Sequence, residues 1–466
     1  MKRLQYIALS ILYLCIVVAV YDLLPMNESG MKVMGILGIM QLILSVFSWA
    51  RLTGSILVPY VVFLVAAYIF TYGQSMLYVF DRVTPERDLS DMFLVSSIMP
   101  AQYLTLIFLN CFNIGAMLSC RPGTRHNVQC LESDNVNTSN QIRGIRAIGL
   151  LFLGVSVIPY IVERVSTFVL VSNFGYAGIY MQEARVGIFN IINILSQYYV
   201  PGVLCLICVA RTKRQRNVCL ALLVIEALFW LFIGGRSNGV IIAAIILMYY
   251  HICVRPIKIR QALLVGVAAF FFISALGVIS DIRSDPDADF AEALSNGFSD
   301  NNAFFSAISE MGSSMYPMIA TMEVVPEAYD FKYGSSYLYA LSSIVPNFGF
   351  WDLHPAMKYG NMNDWLQRVM NLSYGPGFSI VAEAYVNFGR FGFMMMLLLG
   401  YMFASILNVN IRDRRNPLLL VLAFVLSFLI IKTVRNSFLA TVRSVFYYIL
   451  PIYAAVVYFY KGRIIK

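Results

Sequence analysis

Apolar positions run along most of this chain in blocks long enough to cross a bilayer as a helix, for which about 20 residues are needed. Short polar connectors separate them. The blocks fall near 5–24, 33–50, 55–72, 93–118, 147–162, 191–210, 218–233, 240–254, 262–279, 392–409, 417–432 and 444–460. About twelve spans of this kind bring both ends of the chain to the same side. One interval breaks the rhythm. Ser280–Arg390 is the one polar stretch long enough to build structure outside the bilayer. It opens with Asp281, Asp285, Asp287, Asp289, Glu292 and Asp300, turns rich in Tyr, Trp and Phe, and closes with GPGFSIVAEAYVNFGRFG. The pattern predicts an all-α polytopic membrane protein: a bundle over 1–279, one large loop over 280–391 and three C-terminal spans over 392–466.

Composition strengthens this picture. The chain is 59% hydrophobic and 13% charged, with a mean hydropathy of +0.72. A soluble core could not hide that much apolar surface. Lys2 and Arg3 precede the first run, but no small-residue cleavage site follows it, so the run reads as a retained first helix.

Charge sets the orientation. With a cytoplasmic N-terminus, 20 of the 34 Lys and Arg fall in connectors on the inner side. Nine fall outside once the long loop is set aside, as long loops do not count toward orientation. Both termini are therefore expected in the cytoplasm and the large loop in the periplasm. The net charge of +9 is spread in small clusters between spans, which argues against a nucleic-acid partner.

Eight cysteines give no framework. Cys205 and Cys208 form a CxxC inside an apolar run with no second pair. Neither a disulfide network nor a metal site is expected, and no cofactor is called for.

Two connectors have a character of their own. Cys120–Arg146, with ESDNVNTSN at its middle, reads as a flexible inner segment. Glu163–Asn190 is half apolar and reads as an outer piece that lies along the interface or dips back into the membrane. No internal repeat of the kind used by inverted-repeat transporters is visible.

Candidate chemistry gathers at the outer face. In FIGGRSNGVIIAA the glycines permit a tight turn that presents Arg236 at a membrane edge. A guanidinium keeps its charge and grips phosphate oxygens in pairs, as a lipid pyrophosphate would require. The same turn also fits an ordinary hairpin with an interfacial arginine. Arg164, Arg185, Arg283, Arg390, Lys432, Arg435 and Arg443 lie at outer span boundaries as well, and KTVRNSFLATVR holds three of them. Cations near hydrocarbon are functional candidates, although some snorkel or pair with loop acids.

In the loop, Glu383 fits either a general base in an apolar setting or a structural carboxylate that pairs with Arg390 or caps a helix. His354 fits a base, an acceptor-binding group or a satisfied loop histidine. The aromatics, among them Trp351, Trp365 and Tyr374, fit a carbohydrate-stacking surface or an interfacial belt.

Taken together, the spans, GGRSNG at a hairpin turn and the closing GPGFSIVAEAYVNFGRFG resemble the Wzy-type oligosaccharide repeat-unit polymerases of O-antigen and capsule pathways. Arg164 and Gly175 match an arginine–ten residues–glycine pattern seen in outer loops of some polymerases. Against the related O-antigen ligases the chain departs twice. Val240 stands where a leucine follows the turn arginine, and Trp365 stands where a glycine follows the histidine.

The resemblance implies undecaprenyl-pyrophosphate-linked oligosaccharide as substrate, membrane lipid as surroundings and a chain-length regulator protein as partner. It also implies a fold similar to the lipid-sugar-using, GT-C-like membrane glycosyltransferases of the bacterial inner membrane. On this reading Arg236, Arg435, Arg443, Arg164 and Arg283 bind pyrophosphate. Glu383 or His354 activates an acceptor hydroxyl, while Trp351, Trp365 and Tyr374 hold glycan. The loop would then cover a cationic floor made by the span ends. A lipid-linked oligosaccharide flippase or an O-antigen ligase are the rival readings. A flippase would carry ionisable groups along a path through its spans, where Glu226 is the one clear acid.

Overall fold

The structure, a computed structural model, describes residues 2–84, 88–120, 134–174, 188–233, 236–258, 260–261, 264, 266, 303–345, 347 and 350–461. Helices account for the regular structure, and no strand occurs among the described residues. Nine of these helices are long and apolar enough to cross a membrane, and Asn238–Val254 and Pro417–Ile431 are shorter apolar helices. The protein is a multi-pass membrane protein of all-α class. The span expected at 262–279 lies largely outside the described residues.

Local chemistry marks the helix ends. Asn27 accepts a hydrogen bond from the Gly30 amide at 3.1 Å to start Glu28–Thr53, and Gly54, at φ 82°, stops it. Pro59 opens Pro59–Leu77, where its missing N–H costs nothing. Two expectations about connectors are corrected. The segment read as flexible between Cys120 and Arg146 is helical from Asp134, and that helix continues without interruption to Phe174. Its 41 residues span roughly 60 Å at the α-helical rise. The first part of the expected outer connector Glu163–Asn190 is therefore the same helix that crosses the membrane. Polar residues on a helix that outruns the bilayer look like loop composition, which is why the sequence alone cut it short.

The chain divides into two compact units, each assembled from separate stretches. The first comprises Met1–Thr124, Lys258–Asn408 and Leu429–Arg443. Its central pairing sets Val95–Ser119 against Gly392–Leu407. A Cβ on Gly115 would overlap the Leu397 carbonyl, and one on Gly400 would overlap the Phe112 carbonyl. Two glycines thus let two backbones touch, the small-residue packing favoured where lipid removes the hydrophobic drive between helices. Several buried polar side chains in this bundle bond across helices. Tyr13 donates to the Leu37 carbonyl at 2.6 Å, and Gln41 donates to Tyr68 Oη and the Leu106 carbonyl.

The later part of the long polar interval belongs to this same unit. Ala303–Gly312 lies on Pro59–Leu77, with a Cβ on Gly73 only 3.1 Å from Gly312 Cα. Gln74 donates to the Ser309 carbonyl at 3.1 Å and accepts from the Leu89 amide. Ser335–Ser342 and Pro355–Tyr359 pack through Ala340 and Ala356 onto Leu439 and Val442 of Phe438–Ser444. From Ala303 on, the interval is a layer docked on these helices.

The second unit comprises Arg125–Ile257, Val409–Phe428 and Ser444–Lys466. The long Asp134–Phe174 helix meets Tyr199–Cys208 where Gly149 lies against Cys205, and meets Leu450–Lys461 where Gly144 lies against Ala455 and Val456. Tyr448 donates to Gln197 at 3.2 Å across this packing.

Candidate functional site

In the first unit the closing motif of the long interval forms a helix, Ile380–Phe388, started by Ser379 through a bond from the Ala382 amide at 3.1 Å. Residues 380–387 are buried, and Glu383 is 0% exposed. Both carboxylate oxygens are engaged. Oε1 accepts from Ser336 Oγ at 2.7 Å, and Oε2 accepts from the Phe438 amide at 2.6 Å. Phe438 begins the next helix, so the carboxylate sits at a helix N-terminus, where a negative charge is favoured.

One turn further on, Asn387 completes the network. Its Nδ2 donates to Ser336 Oγ and to the Glu383 carbonyl, both at 2.8 Å. Its Oδ1 accepts from the Gly334 amide at 3.0 Å. Sequence reasoning offered Glu383 as a base or as a structural carboxylate. The geometry gives it two fixed donors and no solvent face.

His354 is also committed. Nδ1 accepts from the Ala356 amide at 3.0 Å, capping Pro355–Tyr359, which leaves the Nε2 proton to donate to the Val345 carbonyl at 2.8 Å. Trp351 meets the imidazole edge to face at 5.0 Å. Both ring nitrogens hold backbone.

The cationic turn lies at the other end of the Glu383 bridge. Arg435 is half-buried, and its carbonyl accepts from the Phe378 amide at 3.3 Å. Gly377 beside it has φ +77° and donates to Asn363 Oδ1 at 2.7 Å. A Cβ there would lie 3.3 Å from the Arg435 carbonyl and 3.7 Å from its Cγ. Glycine is therefore needed both for the left-handed backbone and for the close approach of the GPGF turn to the arginine. Arg443, two turns on, points a guanidinium nitrogen at Met357 Sδ at 3.2 Å.

The aromatics fall into two groups. Trp365 has Tyr329 and Phe378 edge to face at 6.1 and 6.4 Å, and the Lys332 ammonium 5.0 Å over its ring. Trp351 instead packs with Phe350 and His354. Tyr374 is exposed.

In the second unit, Arg164 is paired. Its Nη2 and Nε reach Glu226 Oε1 and Oε2 at 2.7 and 3.2 Å, a bidentate bridge with the acid side chain 1% exposed. Tyr160 and Trp230 also donate to that carboxylate. The guanidinium lies over the rings of Tyr160, Phe229 and Trp230 at 4.8, 5.4 and 4.7 Å. The charge expected for pyrophosphate is neutralised inside the helix bundle, and the acid noted within a span is its counter-ion. Arg236 is the first residue of the helix Arg236–Tyr249. Arg283, Arg185 and Gly175 lie outside the described residues. No group of three or more His, Cys, Asp or Glu that could hold a metal ion occurs among the described residues.

Sequence reasoning did not single out Ser336, Asn387, Asn363 or Lys332. The clue available for Asn387 was its spacing of one helical turn from Glu383.

Compared with known families, the chain matches the model described as O-antigen polysaccharide polymerase Wzy over residues 4–466. The chain belongs to the Wzy O-antigen polymerase family. The match runs through both compact units, so the Glu383 network and the Arg164–Glu226 pair lie within a single Wzy polymerase chain. Wzy membership gives the protein a polymerase role in O-antigen synthesis. No curated protein and no solved structure matches it.

Proposed function

We propose that this chain joins oligosaccharide repeat units carried on undecaprenyl pyrophosphate, at the periplasmic face of the bacterial inner membrane. The reaction is a block glycosyl transfer. A sugar hydroxyl of the acceptor unit attacks the anomeric carbon of the donor glycan. The bond from that carbon to the pyrophosphate oxygen breaks, undecaprenyl pyrophosphate departs and the hydroxyl proton passes to water. Attack opposite the leaving group inverts the anomeric centre.

The support comes from one arrangement, the GPGF turn folded against Arg435 by a glycine that cannot be replaced without moving it. A half-buried, permanently charged group beside a polar, aromatic layer suits the negative charge that develops on a departing pyrophosphate. Arg435 is the pyrophosphate-binding residue in this reading, and Arg443 supports it from the following helix. Glu383 and His354 act as positioning residues. Glu383 fixes Phe438, and with it the turn that carries Arg435, relative to the helix that follows GPGF. His354 fixes the layer packed on Phe438–Ser444.

The test is purified protein in liposomes supplied with a lipid-linked repeat unit. Longer lipid-linked glycan is the expected product, with Arg435→Ala leaving single units. Movement of the unit across the bilayer without new glycosidic bonds would overturn the polymerase reading. Unaltered ladders from Arg435→Ala at equal protein level would overturn the assignment of Arg435.

A further inference from the structure

Lys332 is held with unusual care for a loop lysine. Its amide donates to the Val386 carbonyl at 2.9 Å, and its own carbonyl accepts from the Ser335 amide at 2.9 Å. The next residue, Tyr333, is held by the Asn387 carbonyl at 3.0 Å, and Gly334 by the Asn387 side chain. The buried Glu383–Ser336–Asn387 network thus ends on this turn. Tyr333 has φ +47°, a left-handed conformation that a tyrosine adopts only at a cost, yet its side chain is 78% exposed. A strained backbone that packs nothing into the core is a mark of a working position.

The surroundings of Lys332 are cationic and aromatic. Its ammonium stands over Trp365, with Tyr329 against the same indole. Burial first, and the Arg368 guanidinium second, draw its pKa below the ordinary lysine value. Arg368 comes from the same short helix as Trp365, Met362–Val369. Neither cation makes an ion pair among the described residues. Two like charges close enough to act on each other, one of them partly desolvated over an indole and the other one turn along the helix that carries it, repel each other. An anion placed between them turns that repulsion into attraction.

We infer that Lys332, Arg368 and Trp365 form a subsite for an acidic sugar, with the carboxylate between the two cations and a C–H face of the ring against exposed aromatic surface. Tyr329 supplies that surface beside Trp365. The inference deepens the proposed polymerase reading and rests on it for the source of the sugar, an acid-bearing residue of the repeat unit. The shared chemistry, an oxyanion, is also offered by a lipid pyrophosphate, and the probes below separate the two.

The full chain in detergent is titrated with a hyaluronan tetrasaccharide, which carries glucuronate, with neutral chitotetraose of equal length and with inorganic pyrophosphate. Binding is read from ligand-side saturation-transfer NMR. Hyaluronan tetrasaccharide is expected to bind, with affinity falling about tenfold or more in Lys332→Gln and in Arg368→Gln, as loss of a charge-assisted contact implies. Lys332→Arg is expected to keep it. Equal binding of chitotetraose, or unchanged affinity in both glutamine variants, would overturn the subsite. So would pyrophosphate displacing the tetrasaccharide in the parent protein but not in Arg368→Gln, since the two cations would then belong to the lipid. The assay needs no turnover. Acid-glycan binding that persists in a protein without polymerase activity would overturn the proposed function and leave the subsite standing.

Discussion

The Glu383 carboxylate accepts a hydrogen bond from the Phe438 amide at 2.6 Å, joining the last helix of the long polar interval to the helix that follows the Arg435 turn. With Ser336 on the other oxygen, one side chain fixes three stretches that the sequence spreads over about a hundred positions.

Glu383→Ala is therefore expected to destabilise the protein. It strands two buried donors, each at a cost of about 1–3 kcal/mol. Glu383→Gln keeps the shape and one acceptor and should lose less. Thermal unfolding followed by size-exclusion chromatography, run beside the polymerisation assay, checks this. Activity should fall in step with stability across the two variants. A glutamine variant with full stability, sharply reduced residual activity and a lost acidic limb in its pH–rate profile would return the carboxylate to the role of general base.

Arg435→Ala should reduce polymerisation by about 10²–10³-fold, the scale seen when a preorganised charge-stabilising group is lost. Arg435→Lys should also be impaired, because an ammonium does not offer the paired donors of a guanidinium. Thermal stability should change little in the lysine variant. Rates of glycan lengthening on a lipid-linked unit measure both.

Gly377→Ala tests the turn rather than the charge. A side chain at φ +77° costs on the order of 1 kcal/mol, and the new methyl would sit 3.3 Å from the Arg435 carbonyl. Polymerisation should slow while the protein remains folded. Wild-type ladders in this variant would show that the turn has no bearing on Arg435.

In the second unit, Arg164→Met or Glu226→Gln alone should lower yield and unfolding temperature strongly, as removing one partner of a buried pair typically costs about 3–5 kcal/mol. The double change Arg164→Met with Glu226→Leu should recover much of the loss. Recovery in the double variant, measured by thermal unfolding, distinguishes a strut from a binding site for an anion. A site for an anion would lose activity in the double variant even when stability returns.

Lys332 gives a prediction of opposite sign. Burial and then Arg368 disfavour its charged form in the folded protein, so the folded pKa lies below the unfolded one. The penalty is fully present below the folded pKa and is relieved as pH rises through it toward the unfolded value. Lys332→Met should then raise the unfolding temperature at neutral pH and narrow its gap to the parent at high pH. Unchanged stability at neutral pH would mean that the charge carries no strain.

The sequence made the architecture readable because span length and charge asymmetry leave strong local patterns. It did not show that Asp134–Phe174 is one helix, since the polar stretch before Arg146 has loop composition. Nor could it show that Ala303–Gly312 lies on Pro59–Leu77, a packing that depends on Gly73 and Gly312 meeting. For the site, residue type was legible and partnership was not. Arg164 and Glu226 stand 62 positions apart, and nothing local announces the pair. Yet an acid inside a span needs a counter-charge, and that rule could have named a neighbouring arginine. Glu383 looked catalytic because apolar surroundings raise that expectation, while the donors that occupy it arrive from Ser336 and Phe438.

The form of the Phe438 bond has a practical consequence for exchanging loops between polymerases of different sugar specificity. Phe438 gives only a backbone amide, which every residue except proline can offer. Ser336 and Asn387, in contrast, contribute side chains. A transplanted loop must therefore carry 334–336 and 383–387 as one cassette, whereas the recipient helix can accept it with almost any residue at its first position.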